Sequence, residues 1–128
     1  MMKSAELKRL KSLQGNCGYN DANKREFKRL GMKMMRELRT ALGIEADVRY
    51  NAGGIAVSGE CTLHGDSIYV QISADYSYGI LYRTCNGRKD YSGGPNHWFP
   101  VENLETPFNK GFETFVDHVR YVMPRKAA

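Results

Sequence analysis

Apolar residues recur at one period in the first third of the chain, at another in the middle, and at the first again near the end. Leu7, Leu10 and Leu13 alternate with charged neighbours at helical spacing, which predicts a short helix over Ser4 to Leu13 with Ser4 as its N-cap. Gly15, Asn16, Gly18 and Asn20 break it. Phe27, Leu30, Met34, Leu38, Ala41 and Leu42 then follow the 3.6-residue period, predicting a longer helix capped by Asp21 and ending at about Leu42. Gly43 fits the C′ position that stops it, and Gly31 on the apolar stripe allows another backbone to approach closely.

From Asp47 the period becomes two. Val48 to Tyr50, Ile55 to His64, Ser67 to Ala74 and Ile80 to Cys85 read as strands, with Ile55, Val57, Cys61, Leu63, Ile68, Val70 and Ile72 on the inner side. Gly65-Asp66 is expected to form a hairpin loop. Asn86-Gly87 is expected to form a type I′ turn leading into a short edge strand over Arg88 to Tyr91. Trp98 and Phe99 lie in the long loop that follows and are expected to anchor it to the core. Thr106-Pro107 then reads as an N-cap and first helical residue, followed by the stripe Phe108, Phe112, Phe115, Val116, Val119 and Met123.

This order predicts a single α+β domain over residues 1–128: two N-terminal helices, an antiparallel sheet of about four strands in a meander, and one C-terminal helix packed on the sheet. No apolar run is long enough for a membrane span, and charges interrupt the N-terminal leucines, so neither a signal peptide nor a membrane partner is expected. Three widely spaced cysteines, Cys17, Cys61 and Cys85, suit thiols in a reducing cytoplasm better than a disulfide framework, although Cys61 and Cys85 on neighbouring strands are a conceivable pair.

Charge changes the picture more than composition does. The formal net charge is +5, and the surplus lies in the first 43 residues, while Glu45 to Ala128 carries more acidic than basic groups. On a helical wheel Arg25, Lys28, Arg29, Lys33, Arg36 and Arg39 cluster away from the apolar stripe. A nearly single-sign face of this kind attracts phosphates or acidic protein surfaces. The β region adds a second set: Tyr69, Tyr76 and Tyr78 with Arg83, Arg88 and Lys89. Tyrosine and arginine are enriched where proteins bind one another and also stack on unpaired bases.

Chemistry is sparser. Cys61-x-x-His64 has the look of half a zinc site, but the two residues should face opposite sides of a strand, so no metal is expected. Cys85 with His97 or His64, oriented by Asp66 or Asp90, is a drawable nucleophile–base pair, as is Glu60 with Asp66 for acid–base work, yet no spacing requires either. Gly53-Gly54 and Gly93-Gly94 lack a phosphate-loop ending. No catalytic residue and no cofactor are assigned. The helix–strands–helix order is similar to the double-stranded-RNA-binding domain in topology, but Pro107 to Val116 offers only Lys110 where that family places a basic cluster.

The stretches NAGGIAVSGECTLHGDSIYVQIS (Asn51 to Ser73) and GILYRTCNGRKDYSGGPN (Gly79 to Asn96) resemble segments of small accessory proteins of bacteriophages and other mobile elements, over about a third of the chain. The resemblance implies a non-enzymatic inhibitor of a host defence complex, as anti-CRISPR proteins are, acting in the host cytoplasm. It carries no catalytic residues with it. The expected partner is a host protein or ribonucleoprotein complex, with the chain a monomer or homodimer. Direct RNA or DNA binding is the alternative, and a small Cys/His-dependent enzyme the second alternative.

Overall fold

Leucines one turn apart give the first helix its buried stripe. The computed structural model describes residues 2–52, 59–75, 79–90, 92–104 and 110–124. Helix α1 (Ser4–Leu13) buries Leu7, Leu10 and Leu13. Helix α2 (Asp21–Leu42) buries Phe27, Leu30, Gly31, Met34, Met35 and Leu38. Its N-cap is Asn20, not Asp21, and the Asn20 side chain accepts from the Asn23 N–H at 3.0 Å. Lys3, not Ser4, occupies the N-cap position of α1, where its backbone N–H donates to Glu6 Oε1 at 3.0 Å. Gly43 ends α2 as expected, in the left-handed conformation at φ 66°, where a side chain is disfavoured.

Among the described residues five strands follow: β1 (Ala46–Asn51), β2 (Glu60–Gly65), β3 (Ile68–Ser73), β4 (Ile80–Thr84) and β5 (His97–Phe99). All pairings are antiparallel and the spatial order is β1-β2-β3-β4-β5, a pure meander. A 3-10 turn over Val101–Leu104 leads to helix α3 (Gly111–Val122). The protein is therefore α+β with helices at both ends of one antiparallel sheet.

Register assigns each sheet residue a side. Tyr50, Cys61 and Ile72 are cross-strand neighbours, as are Val48, Leu63, Val70 and Tyr82, and Ile80 with Phe99. These inner residues meet the helices. Gly31 of α2 lies over Cys61 and Ile72. Phe115 of α3 packs its ring against Phe99 at 5.2 Å, Phe112 at 6.3 Å and Tyr82 at 6.4 Å between centroids. The two groups join in one apolar core running from Leu7 through Met34 and Val70 to Phe112.

Several expectations are corrected. Asn86-Gly87 does not make a type I′ turn, since neither residue has positive φ. The Asn86 N–H instead donates to the Asp90 and Ser92 carbonyls, and among the described residues only an isolated Gly87–Asp90 bridge stands where the sequence predicts an edge strand over Arg88 to Tyr91. The strand beside β4 is β5, in the stretch expected to be loop. The β2–β3 turn is centred on Asp66-Ser67, one residue later than expected, because His64 pairs with Tyr69. Ile55 and Val57, Tyr76 and Tyr78, Tyr91, and the Thr106-Pro107 cap with Phe108 lie outside the described residues.

Candidate functional site

The residues expected to bind a partner fall on separate surfaces. On α2, Arg25, Arg29 and Arg36 are exposed and point away from the buried stripe. None makes an ion pair or side-chain hydrogen bond among the described residues. Their spacing places them along one line about 16 Å long, at about 1.5 Å of rise per residue. Glu26, beside Arg25 in the sequence of the same helix, is occupied by a two-point contact with Arg9, whose Nε and Nη2 donate at 2.7 and 2.8 Å. That contact holds the Glu26 carboxyl below its ordinary range.

The other cations of this set are engaged within the fold. Lys33 donates to Glu6 at 2.6 Å and ties α2 to α1. Arg39 donates to the Ala46 carbonyl at 3.0 Å, at the first residue of the edge strand β1. Lys28 lies over the Tyr50 ring, 5.0 Å from its centroid. The expected patch of six therefore resolves into an unpaired line of Arg25, Arg29 and Arg36, flanked by three cations with structural duties.

The sheet supplies the second surface. Asp47, His64, Tyr69 and Arg83 form one outward row across β1 to β4. Arg49, Thr62, Gln71, Leu81 and Trp98 form the next, across all five strands. No helix among the described residues packs on this side. Thr62 and His64 are nonetheless almost fully enclosed by their neighbours, with Thr62 Oγ1 2.8 Å from His64 Nε2 and the Tyr69 ring edge-on to the imidazole. Burial, aided by the Arg49 charge, pushes the His64 pKa down and favours the neutral ring. The Tyr69 hydroxyl donates to Gln71 Oε1 at 2.7 Å. Arg83 has an enclosed Nε with no hydrogen-bond partner.

Trp98 was expected to anchor a loop. It stands instead on the outer face, 45% exposed, while Phe99 does the anchoring. The signal for this was the alternation His97-Trp98-Phe99, too short to read alone. Arg88 and Lys89 lie in the turn after β4, with Arg88 reaching the edge of the outer face at Asp47. Arg88 spends its charge on Asp66 at 3.0 Å and Asp47 at 3.6 Å, and Lys89 is exposed.

The cysteines and histidines do not converge. Cys61 faces the helices and His64 the opposite side, as alternation dictates. All three thiols are free and buried. Burial pushes the Cys61 thiol up to about 12 and raises Cys17 and Cys85 too. Cys85 donates to the Gly65 carbonyl at 3.6 Å, while His97 stacks on Tyr82 at 5.2 Å. Asp66 is held by Arg88, and Asp90 accepts from the Ser92 hydroxyl at 2.5 Å. Among the described residues no group of three or more His, Cys, Asp or Glu stands close enough to hold a metal ion.

A reactivity test follows from the Cys61 environment. At about pH 8 native Cys61 is expected to react with iodoacetamide about a thousandfold more slowly than free cysteine, because so little of it is thiolate. Unfolding in urea should restore the ordinary rate. Rapid alkylation of the native protein at Cys61, located by peptide mapping, would contradict the assignment of this thiol to the core.

No protein-family model, curated protein or solved structure matches the chain.

Proposed function

We propose that the chain is a non-enzymatic binding protein of the mobile-element type, which inhibits a host defence complex by laying the arginine line of α2 on an anionic surface of that complex. The observation that carries this reading is that Arg25, Arg29 and Arg36 make no ion pair or side-chain hydrogen bond among the described residues, while Glu26 and Glu6 are engaged by Arg9 and Lys33. A well-packed helix fixes the spacing of these cations in advance, so that only their side chains have to be ordered on meeting an external anion. The buried thiols, raised in pKa, support a binding role over a cysteine-dependent enzyme. The site of action in this reading is the cytoplasm of the host.

Direct binding to RNA or DNA is the second reading, favoured by the separation of Arg25 and Arg29 by about one helical turn, roughly 6 Å, which is close to the spacing of successive phosphates along a strand. A single experiment separates the two. The tagged chain is expressed in CRISPR-active cells, phage plating is measured, and the chain is recovered with whatever it holds. Restored plating together with recovery of a defence-complex subunit, resistant to nuclease, is the expected result. Unchanged plating, or recovery of nucleic acid alone, removes the inhibitor reading.

A further inference from the structure

We infer that the outer face of the sheet is a second docking surface, which receives an Asp or Glu side chain of a protein partner on Arg83, between Tyr69 and Trp98. Arg83 sits on β4 directly across from Tyr69 of β3. Leu81, two residues before it on the same face, is paired with Gln71 on one side and Trp98 on the other. Neighbouring strands lie about 4.8 Å apart, so these five side chains share one patch.

The patch is incomplete by itself. The Arg83 Nε is enclosed without a partner, and no carboxylate among the described residues meets the guanidinium. A cation that has shed part of its water without gaining an anion is held at a cost, and an incoming carboxylate offsets it. Gln71 is oriented for the same guest. Its Oε1 is taken by the Tyr69 hydroxyl, so its amide N–H groups remain as donors beside Arg83. Leu81 and the exposed Trp98 ring supply apolar surface for the aliphatic part of a side chain.

Charge decides the class of partner. Arg49 on this face is paired with Asp47 at 3.2 Å. Glu60 faces the same side and balances Arg83 at a distance. The face therefore has no net charge among its described residues, and a polynucleotide would gain nothing from it beyond a single contact. A protein surface with one carboxylate in an apolar setting fits both the balance and the residue types, since Trp, Tyr and Arg are those that dominate protein interfaces. This surface is independent of the α2 line, which lies on the far side of the sheet.

The test uses the full chain, labelled with 15N, titrated with a capped Leu-Glu-Leu peptide. Backbone and side-chain resonances of Tyr69, Gln71, Arg83 and the Trp98 indole are expected to move, with saturation at millimolar peptide. Arg83→Gln should weaken the response about tenfold, the loss of one charge-assisted contact, with the remaining spectrum unchanged. Arg29→Glu with Arg36→Glu should leave it intact, so failure here is distinct from failure of the α2 reading. Three results overturn the proposal: no shifts up to about 10 mM peptide, equal shifts with capped Leu-Gln-Leu, or stronger shifts at the same residues with a short oligothymidylate.

Discussion

Replacing Arg29 and Arg36 together by glutamate is expected to abolish partner binding and leave the fold untouched. Both side chains are exposed and neither has a partner to lose, so the change in stability should stay within about 0.5 kcal/mol. Glutamate at position 29 would sit four residues before Lys33, an arrangement that supports a helix. The effect on binding is of another order. Each reversal deletes an attraction and installs a repulsion, and like charges facing each other across an interface cost several kcal/mol. A loss of about a hundredfold or more in affinity is expected. Isothermal titration against the recovered partner, with a thermal melt of the same sample, checks both halves. If the bound partner is nucleic acid, affinity should also fall with salt by about 0.9 logarithmic units per phosphate contact, with a shallower slope in the variant. A variant that binds normally would move the functional surface off α2.

Gly31→Val is expected to be the most damaging single change in the helical layer, at about 3 kcal/mol or more. Two terms oppose each other. Valine in place of glycine inside a helix gains propensity, roughly 0.3–0.5 kcal/mol here. Against that, a β-carbon at Gly31 would lie 2.6 Å from the Cys61 sulfur and 3.2 Å from the Cys61 β-carbon. Cys61 is fully buried on β2, and its short side chain sits between that strand and α2. Crowding therefore wins, and α2 must lift from the sheet. Removing the sulfur should return part of the loss, so that Gly31→Ala with Cys61→Ala is more stable than the sum of the single changes by about 1 kcal/mol. Urea unfolding of the four proteins reads this directly. Additive behaviour would mean that the helix and strand do not approach as closely as described.

The longer elements were legible because their signals are local. The stripe from Phe27 to Leu38, the stop at Gly43 and the close approach at Gly31 all follow from the sequence within one helix. Alternation in Ile68 to Ile72 likewise places Tyr69 and Gln71 outward. Cap positions slipped by one residue because Asn20 and Asp21 are adjacent and both able to cap. Asn86-Gly87 misled for a different reason. Its turn preference is overruled by contacts further along, where Asn86 binds Ser92, and Gly93 lies so close to the Thr84 carbonyl that a β-carbon would overlap it. The chain folds back along the end of β4 instead of pairing at once, and β5 enters later. Three residues are too few for a periodic signal.

The binding surfaces were only half visible. Basic residues on α2 can be counted from the sequence, but which remain unpaired depends on contacts distant along the chain. Lys33 meets Glu6, and Arg9 removes Glu26 from competition. The patch around Arg83 depends on register between β3, β4 and β5, which no single strand encodes.

Strand order that copies chain order has a consequence for how the molecule forms. Each strand pairs with the one made just before it, so every pairing closes a loop short enough for its entropy to be modest. No strand has to be inserted between two already joined. The sheet can grow from the β2–β3 hairpin outward in both directions, with α2 already available as a surface against which β1 and β2 condense. Such a route exposes few unpaired edges at any moment, and it favours rapid acquisition of structure as the chain leaves the ribosome.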